Sequence, residues 1–177
     1  MRWWLALCLT GLLVPARALA AEFWIDPVHG RTDADGSASS PWRSLQEVLD
    51  RGLVESRGWD SLPYKEGALL VVKNPGAPIK AGDTIYLRSG YYGDLEIVGH
   101  YNASDIHVVA QRDHTPRFRS VLVRAGSHWV FRGFHVSPEF APSYERTLLF
   151  KIESHGWHGP VSNIIVEDCY LHSVEDS

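Results

Sequence analysis

From Gly82 onward, apolar and polar residues alternate in short runs bounded by Gly, Asp, Ser and Pro, the period-two pattern of strands with one buried face. These runs align with one another. Leu95-Glu96-Ile97 can be laid over Val121-Leu122-Val123 and Phe150-Lys151-Ile152, and Ile106-His107-Val108 over Trp129-Val130-Phe131 and Ile164-Ile165-Val166. The first steps are 26 and 23 residues; the next are 29 and 35, lengthened by an insertion carrying Pro138, Pro142 and Tyr144. Short strands repeating at this spacing without helices between them predict a solenoid. Asn-Gly and Asp-Gly pairs are absent from residues 83–177, which argues against the tight hairpins of a sandwich. The expectation is an all-β parallel β-helix. Ile97, Val123 and Ile152 would form one interior row, and Val108, Phe131 and Val166 another.

The chain before Gly82 reads differently. Phe23 to Val28 predicts a strand, and His29 to Ser40, rich in Gly, Asp and Ser, a loop. Leu45, Val48 and Leu49 fall at i, i+3 and i+4 behind Ser44, and Glu47 follows Ser44 by three. That is a capping box opening a short amphipathic helix, which ends by Gly58. Residues 59–80, with Pro63, Pro75, Gly76 and Pro78 around an apolar patch at Ala68–Val72, predict an inserted excursion with room for a short hairpin. The organisation expected is a signal over 1–20, strand, loop and capping helix over 21–58, the insertion over 59–80, and coils over 81–177.

The first twenty residues change the picture of where this chain works. Arg2, an apolar stretch of about 12 residues from Trp3 and an A-x-A pattern ending at Ala20 make a cleavable export signal, too short for the ~20 residues of a membrane span. A secreted or periplasmic destination follows, with no membrane span in the mature chain. Cleavage would remove Cys8 and leave Cys169 alone, so no internal disulfide forms. The net charge of −4 becomes −6 once Arg2 and Arg17 are lost, with 15 basic against 21 acidic side chains. Nucleic acid is therefore not the expected partner, because phosphate binding needs a basic surface.

Trp24-Ile25-Asp26-Pro27, Asp35-Gly36, Ser40-Pro41-Trp42 and Leu45, followed by Gly82-Asp83-Thr84-Ile85-Tyr86-Leu87-Arg88-Ser89-Gly90-Tyr91-Tyr92, resemble the N-terminal portion of secreted proteins of the pectate-lyase-like superfamily. Ser162 to Cys169 looks like one of that group's inner coils. The resemblance implies a right-handed parallel β-helix with a short N-terminal capping helix. Members are normally several coils longer, so this chain would be a fragment. It implies carbohydrate activity of the polysaccharide lyase or uronate epimerase type on an acidic polysaccharide. The alternative is a non-catalytic glycan-binding or surface protein, since one scaffold carries both.

Alternation places Glu96, Leu122 and Lys151 outside on successive strands, and Arg112, His135 and Tyr170 on a second outward ladder with His172 beside it. Elimination across a uronate needs a cation to neutralise the carboxylate, a base for the adjacent ring proton and an acid for the leaving oxygen. Arg112 would neutralise, His135 or Lys151 would take the proton, and Tyr170 would donate. The competing reading is solvated residues on ordinary strands. Hydrolysis ranks lower, because Glu167 and Asp168 are adjacent on a strand and face opposite sides. No cofactor is evident. Calcium occurs in the family, but Asp33, Asp35 and Ser37 lack the closing bidentate acid of a calcium loop, and the scattered histidines lack metal-ligand spacing. His155 and His158 read as a loop tip, Trp129, Phe131 and Phe134 as core, Cys169 as an inert buried thiol, and Asn102-Ala103-Ser104 as a glycosylation sequon.

Overall fold

The structure, a computed structural model, describes residues 20–173; apart from Ala20, the expected export signal lies outside the described residues. In chain order the elements are β1 (Glu22–Ile25), α1 (Leu45–Asp50), β2 (Ser56–Trp59), β3 (Leu70–Lys73), β4 (Thr84–Leu87), β5 (Gly90–Tyr91), β6 (Asp94–Ala110), β7 (Pro116–Phe118), β8 (Ser120–Arg132), β9 (His135–Val136), a 3-10 turn (Pro138–Phe140), β10 (Phe150–Glu153), β11 (Ser162–Glu167) and β12 (Tyr170–Leu171). Among the described residues no helix is long and apolar enough to cross a membrane.

Local signals explain the first elements. Ser44 is extended and its hydroxyl accepts the Glu47 N–H at 3.2 Å, so α1 starts where its N-cap places it. Leu45, Val48 and Leu49 are the buried face. The helix stops at Asp50, and Gly52 supplies the positive φ of the turn that follows. The excursion contains one hairpin, β2 with β3, whose register runs from Ser56 opposite Lys73 to Trp59 opposite Leu70.

The strands β4 to β12 pair with one another only in parallel. Ile97, Val123 and Ile152 stand side by side, as do Val108, Phe131 and Val166, but Ile152, expected inside, is exposed at the end of its row. The second row extends through Ile85 to Phe23. Val121, Val123, Phe131 and Phe134 are almost completely buried. Each such side chain stabilises the fold by about 1.5–3 kcal/mol through removal of apolar surface from water.

The right-handed parallel β-helix expected from the repeat is not what these strands build. They form an open eight-stranded sheet, whose path β1-β4-β6-β2-β3 branches from β6 to β8 and from β8 to β10 and β11, and a separate four-stranded sheet in the order β12-β9-β7-β5. Neither sheet curls or closes into coils. The larger one is mixed, since β2 pairs antiparallel with both β3 and β6. The layout is that of open, mainly parallel sheets with one α-helix. The physical reason is that aligned apolar runs report which strands are neighbours, whereas closure depends on backbone bends. Across the positions where short separate coil strands were expected, β6 and β8 run on for 17 and 13 residues.

Candidate functional site

The smaller sheet presents a row of functional side chains because three of its strands share one pattern. In Pro116-Arg117-Phe118 and Phe134-His135-Val136 the flanking residues are buried and the middle one is not; Tyr91, with Tyr92 buried behind it, continues the series. Parallel register brings the middle residues together, Tyr91 beside Arg117, Arg117 beside His135, and His135 beside Tyr170. At ~4.8 Å per strand, three steps make a row about 14 Å long. Behind it the rings of Tyr92, Phe118 and Phe134 stack at centroid separations of 5.0 and 4.8 Å, which fixes the strands that carry the row.

The row has a flank of further polar and aromatic groups. The Arg117 guanidinium lies 5.7 Å over the Phe140 ring, and among the described residues it has no carboxylate partner. His172 Nε2 is 2.6 Å from Glu139 Oε1, and its ring is 4.8 Å from Tyr170 and 5.6 Å from Phe140. His135 and Tyr170 are 5.5 Å apart, centroid to centroid. Beside Tyr91, Asp94 accepts from Arg119 Nε at 2.9 Å and from Ser120 Oγ at 2.6 Å, while Arg119 Nη1 reaches Glu145 at 2.9 Å. The Arg119 guanidinium holds the Asp94 carboxyl below its ordinary value. Partial burial, and then the Asp94 charge, push the Tyr91 hydroxyl up. Arg119 is thus neutralised and Arg117 is not.

Of the four residues picked out from the sequence, His135 and Tyr170 come together and Arg112 and Lys151 do not join them. Arg112 sits in the exposed turn after β6, 3.7 Å from its neighbour Asp113. That turn, with Asp113 at a positive φ of 63°, uses residues that an even count assigns to the strand, so Arg117 takes the position beside His135. The buried–exposed–buried triplet Pro116-Arg117-Phe118 was the signal that could have found it, and Gly90-Tyr91-Tyr92 the signal for Tyr91. Lys151 is in the row Glu96, Leu122, Lys151, as alternation requires, but that row belongs to the larger sheet. Its Nζ is 2.6 Å from Glu153, which also accepts from Arg124 at 2.6 Å, and these two cations hold the Glu153 carboxyl low.

The remaining candidates have local roles. Asp33 pairs with Arg31, and Asp35 accepts the Ser37 N–H at 2.9 Å; among the described residues no group of three or more His, Cys, Asp or Glu is placed to hold a metal. His155 and His158 lie at a loop tip closed by paired backbone hydrogen bonds between His155 and Gly159. The Cys169 thiol is half-buried, and burial raises it, which keeps it protonated and unreactive. Asn102 is buried, and its Nδ2 donates to the carbonyls of Ser127 and His128, so the sequon nitrogen is occupied inside the fold. Protein-family profiles, curated proteins and solved structures were compared with the chain, and none matches.

Proposed function

We propose that the outer face of the four-stranded sheet binds an acidic glycan, a chain of sugars carrying carboxylates. The observation that carries this reading is Arg117, exposed and without a carboxylate partner among the described residues, fixed between Tyr91 and His135 with Tyr170 beyond. An unneutralised guanidinium offers a planar fork to a carboxylate. Tyrosine rings on either side offer flat faces to the C–H surfaces of sugar rings and hydroxyls to their oxygens. The export signal expected of residues 1–20 supports the same reading, because it would deliver this face to the compartment where such polymers occur.

Turnover by the lyase or epimerase route is the second reading, and the closeness of His135 and Tyr170 on the outer face favours it. An imidazole to take the ring proton and a phenol to protonate the leaving oxygen stand 5.5 Å apart there, centroid to centroid. Calorimetric titration of the full chain with an oligogalacturonate and with a neutral oligosaccharide of equal length tests binding. Only the acidic oligomer should bind, Arg117→Ala should weaken it at least about tenfold, or about 1.4 kcal/mol, and Arg112→Ala should leave it unchanged. Equal affinity of the Arg117→Ala and unmodified proteins would overturn the proposal. Ultraviolet absorbance of an unsaturated product, appearing with the unmodified protein and absent in His135→Gln, would add the catalytic step.

A further inference from the structure

On the larger sheet, between α1, β3 and β6, a cleft of about 290 Å³ is lined by Lys73 and His100 together with Gln46, Asp50, Glu96 and Val98. Its floor is a buried relay. Lys73 Nζ lies 3.2 Å from His100 Nε2, and His100 Nδ1 lies 3.0 Å from Ser56 Oγ; His100 and Ser56 are each only 5% exposed. Gln46 ties the wall together, donating to Asp50 Oδ1 at 2.9 Å and accepting the Glu96 N–H at 2.8 Å.

Lys73 differs from the other paired lysines of the chain in what it faces. Lys80 and Lys151 are 3.1 and 2.6 Å from the carboxylates of Glu55 and Glu153, charged acceptors that form ion pairs with them. Lys73 faces a neutral imidazole. Burial, and then the Lys73 charge, push His100 down to about 3, and burial lowers Lys73 itself. The imidazole can serve both states of the amine. With ammonium, Nε2 accepts and Nδ1–H donates to Ser56; with free amine, Nε2–H donates to Nζ and Nδ1 accepts the Ser56 hydroxyl. Neither state leaves a buried ring nitrogen unpaired.

We propose that Lys73 is a nucleophilic amine that forms a Schiff base with a small hydroxylated aldehyde seated in this cleft. The Nζ lone pair adds to the carbonyl carbon as the C–O π bond opens, and one amine hydrogen passes to the oxygen, giving a carbinolamine. The C–O bond then breaks as C=N forms, and the second amine hydrogen leaves with the oxygen as water. The imine thus carries no change in oxidation state and needs no co-reactant. Asp50 and Glu96, neither paired with a cation among the described residues, are placed to accept the aldehyde's hydroxyls, while Val98 supplies an apolar contact.

Reductive trapping tests this. The full chain is incubated near neutral pH with cyanoborohydride and either glyceraldehyde or formaldehyde, and alkylation of Lys65, Lys73, Lys80 and Lys151 is followed by peptide mass mapping. Burial lowers Lys73 and so raises its free-base fraction, and Lys73 should therefore react several-fold faster than any other lysine. Lys73→Gln should leave the rates at the other three unchanged. Asp50→Asn combined with Glu96→Gln should slow glyceraldehyde several-fold at Lys73 while sparing formaldehyde, which has no hydroxyls to bind. Alkylation of Lys73 no faster than that of exposed Lys65 would overturn the proposal, and equal slowing of both aldehydes would overturn the placement of the ligand.

Discussion

The Phe118 ring stacks on Phe134 at 4.8 Å, directly behind the outward pair Arg117 and His135, which stand side by side in register. The inner aromatic pair and the outer polar pair are therefore two faces of one device. Stacked rings fix two short strands, and the strands fix a guanidinium beside an imidazole.

Truncation on the two faces should therefore separate stability from binding. Phe118→Ala empties a fully buried site and is expected to cost about 3–5 kcal/mol, read as a lower urea midpoint. Arg117→Ala removes an exposed side chain and should change stability by no more than about 0.5 kcal/mol, while weakening acidic-glycan binding. A loss of binding in Arg117→Ala that tracked a fall in its urea midpoint would contradict this division.

The strand neighbours are legible in the sequence because burial on one face leaves a period-two record, and the rows Ile97–Val123–Ile152 and Val108–Phe131–Val166 follow from it. The absence of a closed coil is not legible. Whether the chain turns or continues is decided by a few backbone conformations, such as the positive φ of Ala125 and His128 inside β8, and neither residue type announces them. Turn length hides the site in the same way. Asp113 in its left-handed turn displaces the register, so alternation points to Arg112 where Arg117 stands, whereas His135, held between two buried residues, falls where alternation puts it. His172 lies beside the ladder in both readings, but its partner Glu139 comes from the insertion after β9, and no periodicity connects them.

Asp26 gives the fold an acid limit. Burial pushes this carboxyl up, but N–H donation from His29 and Val28, with Arg88 alongside, outweighs it, and the folded-state value is lowered. A lowered carboxyl stabilises the folded state above its unfolded value of about 3.9, and that contribution is lost as pH falls through the folded value. Asp26→Asn should therefore reduce the unfolding free energy by about 1–3 kcal/mol at neutral pH, with the two proteins converging in acid. Asp94 is shifted in the same direction, so both proteins still weaken there. Urea titrations across the acid range would read the convergence, and a difference that persisted undiminished would refute the assignment.

Gly159 is required by what it faces. A Cβ at this position would come within 2.3 Å of Trp59 Nε1 and 2.9 Å of the Tyr101 hydroxyl oxygen, and its φ of 102° is unfavourable for any other residue. Gly159→Ala should displace the loop tip from Trp59 and destabilise the protein by about 1–3 kcal/mol. Gly156→Ala, three residues away in the same loop, meets nothing within 4 Å and is the matched control. Tryptophan emission and thermal unfolding should change in the first variant and not in the second.

Asn102 tests whether a buried amide between two strands is worth more than its sequon suggests. Its Nδ2 donates at 3.2 and 3.1 Å to the Ser127 and His128 carbonyls, both acceptors, so the amide has one usable orientation. Asn102→Ala removes the donor from both carbonyls but also an amide oxygen that is buried without a partner, and should cost about 1 kcal/mol. Asn102→Asp is expected to cost more at neutral pH, because a carboxylate facing two carbonyl oxygens is buried without a donor. That excess should shrink as pH falls and the introduced carboxylate takes up a proton, since the neutral acid can again donate one hydrogen bond. Urea midpoints of the two variants at neutral and acid pH, each set against the unmodified protein, would give the comparison. An aspartate variant as stable as the unmodified protein at neutral pH would mean that the amide makes no necessary contact between β6 and β8.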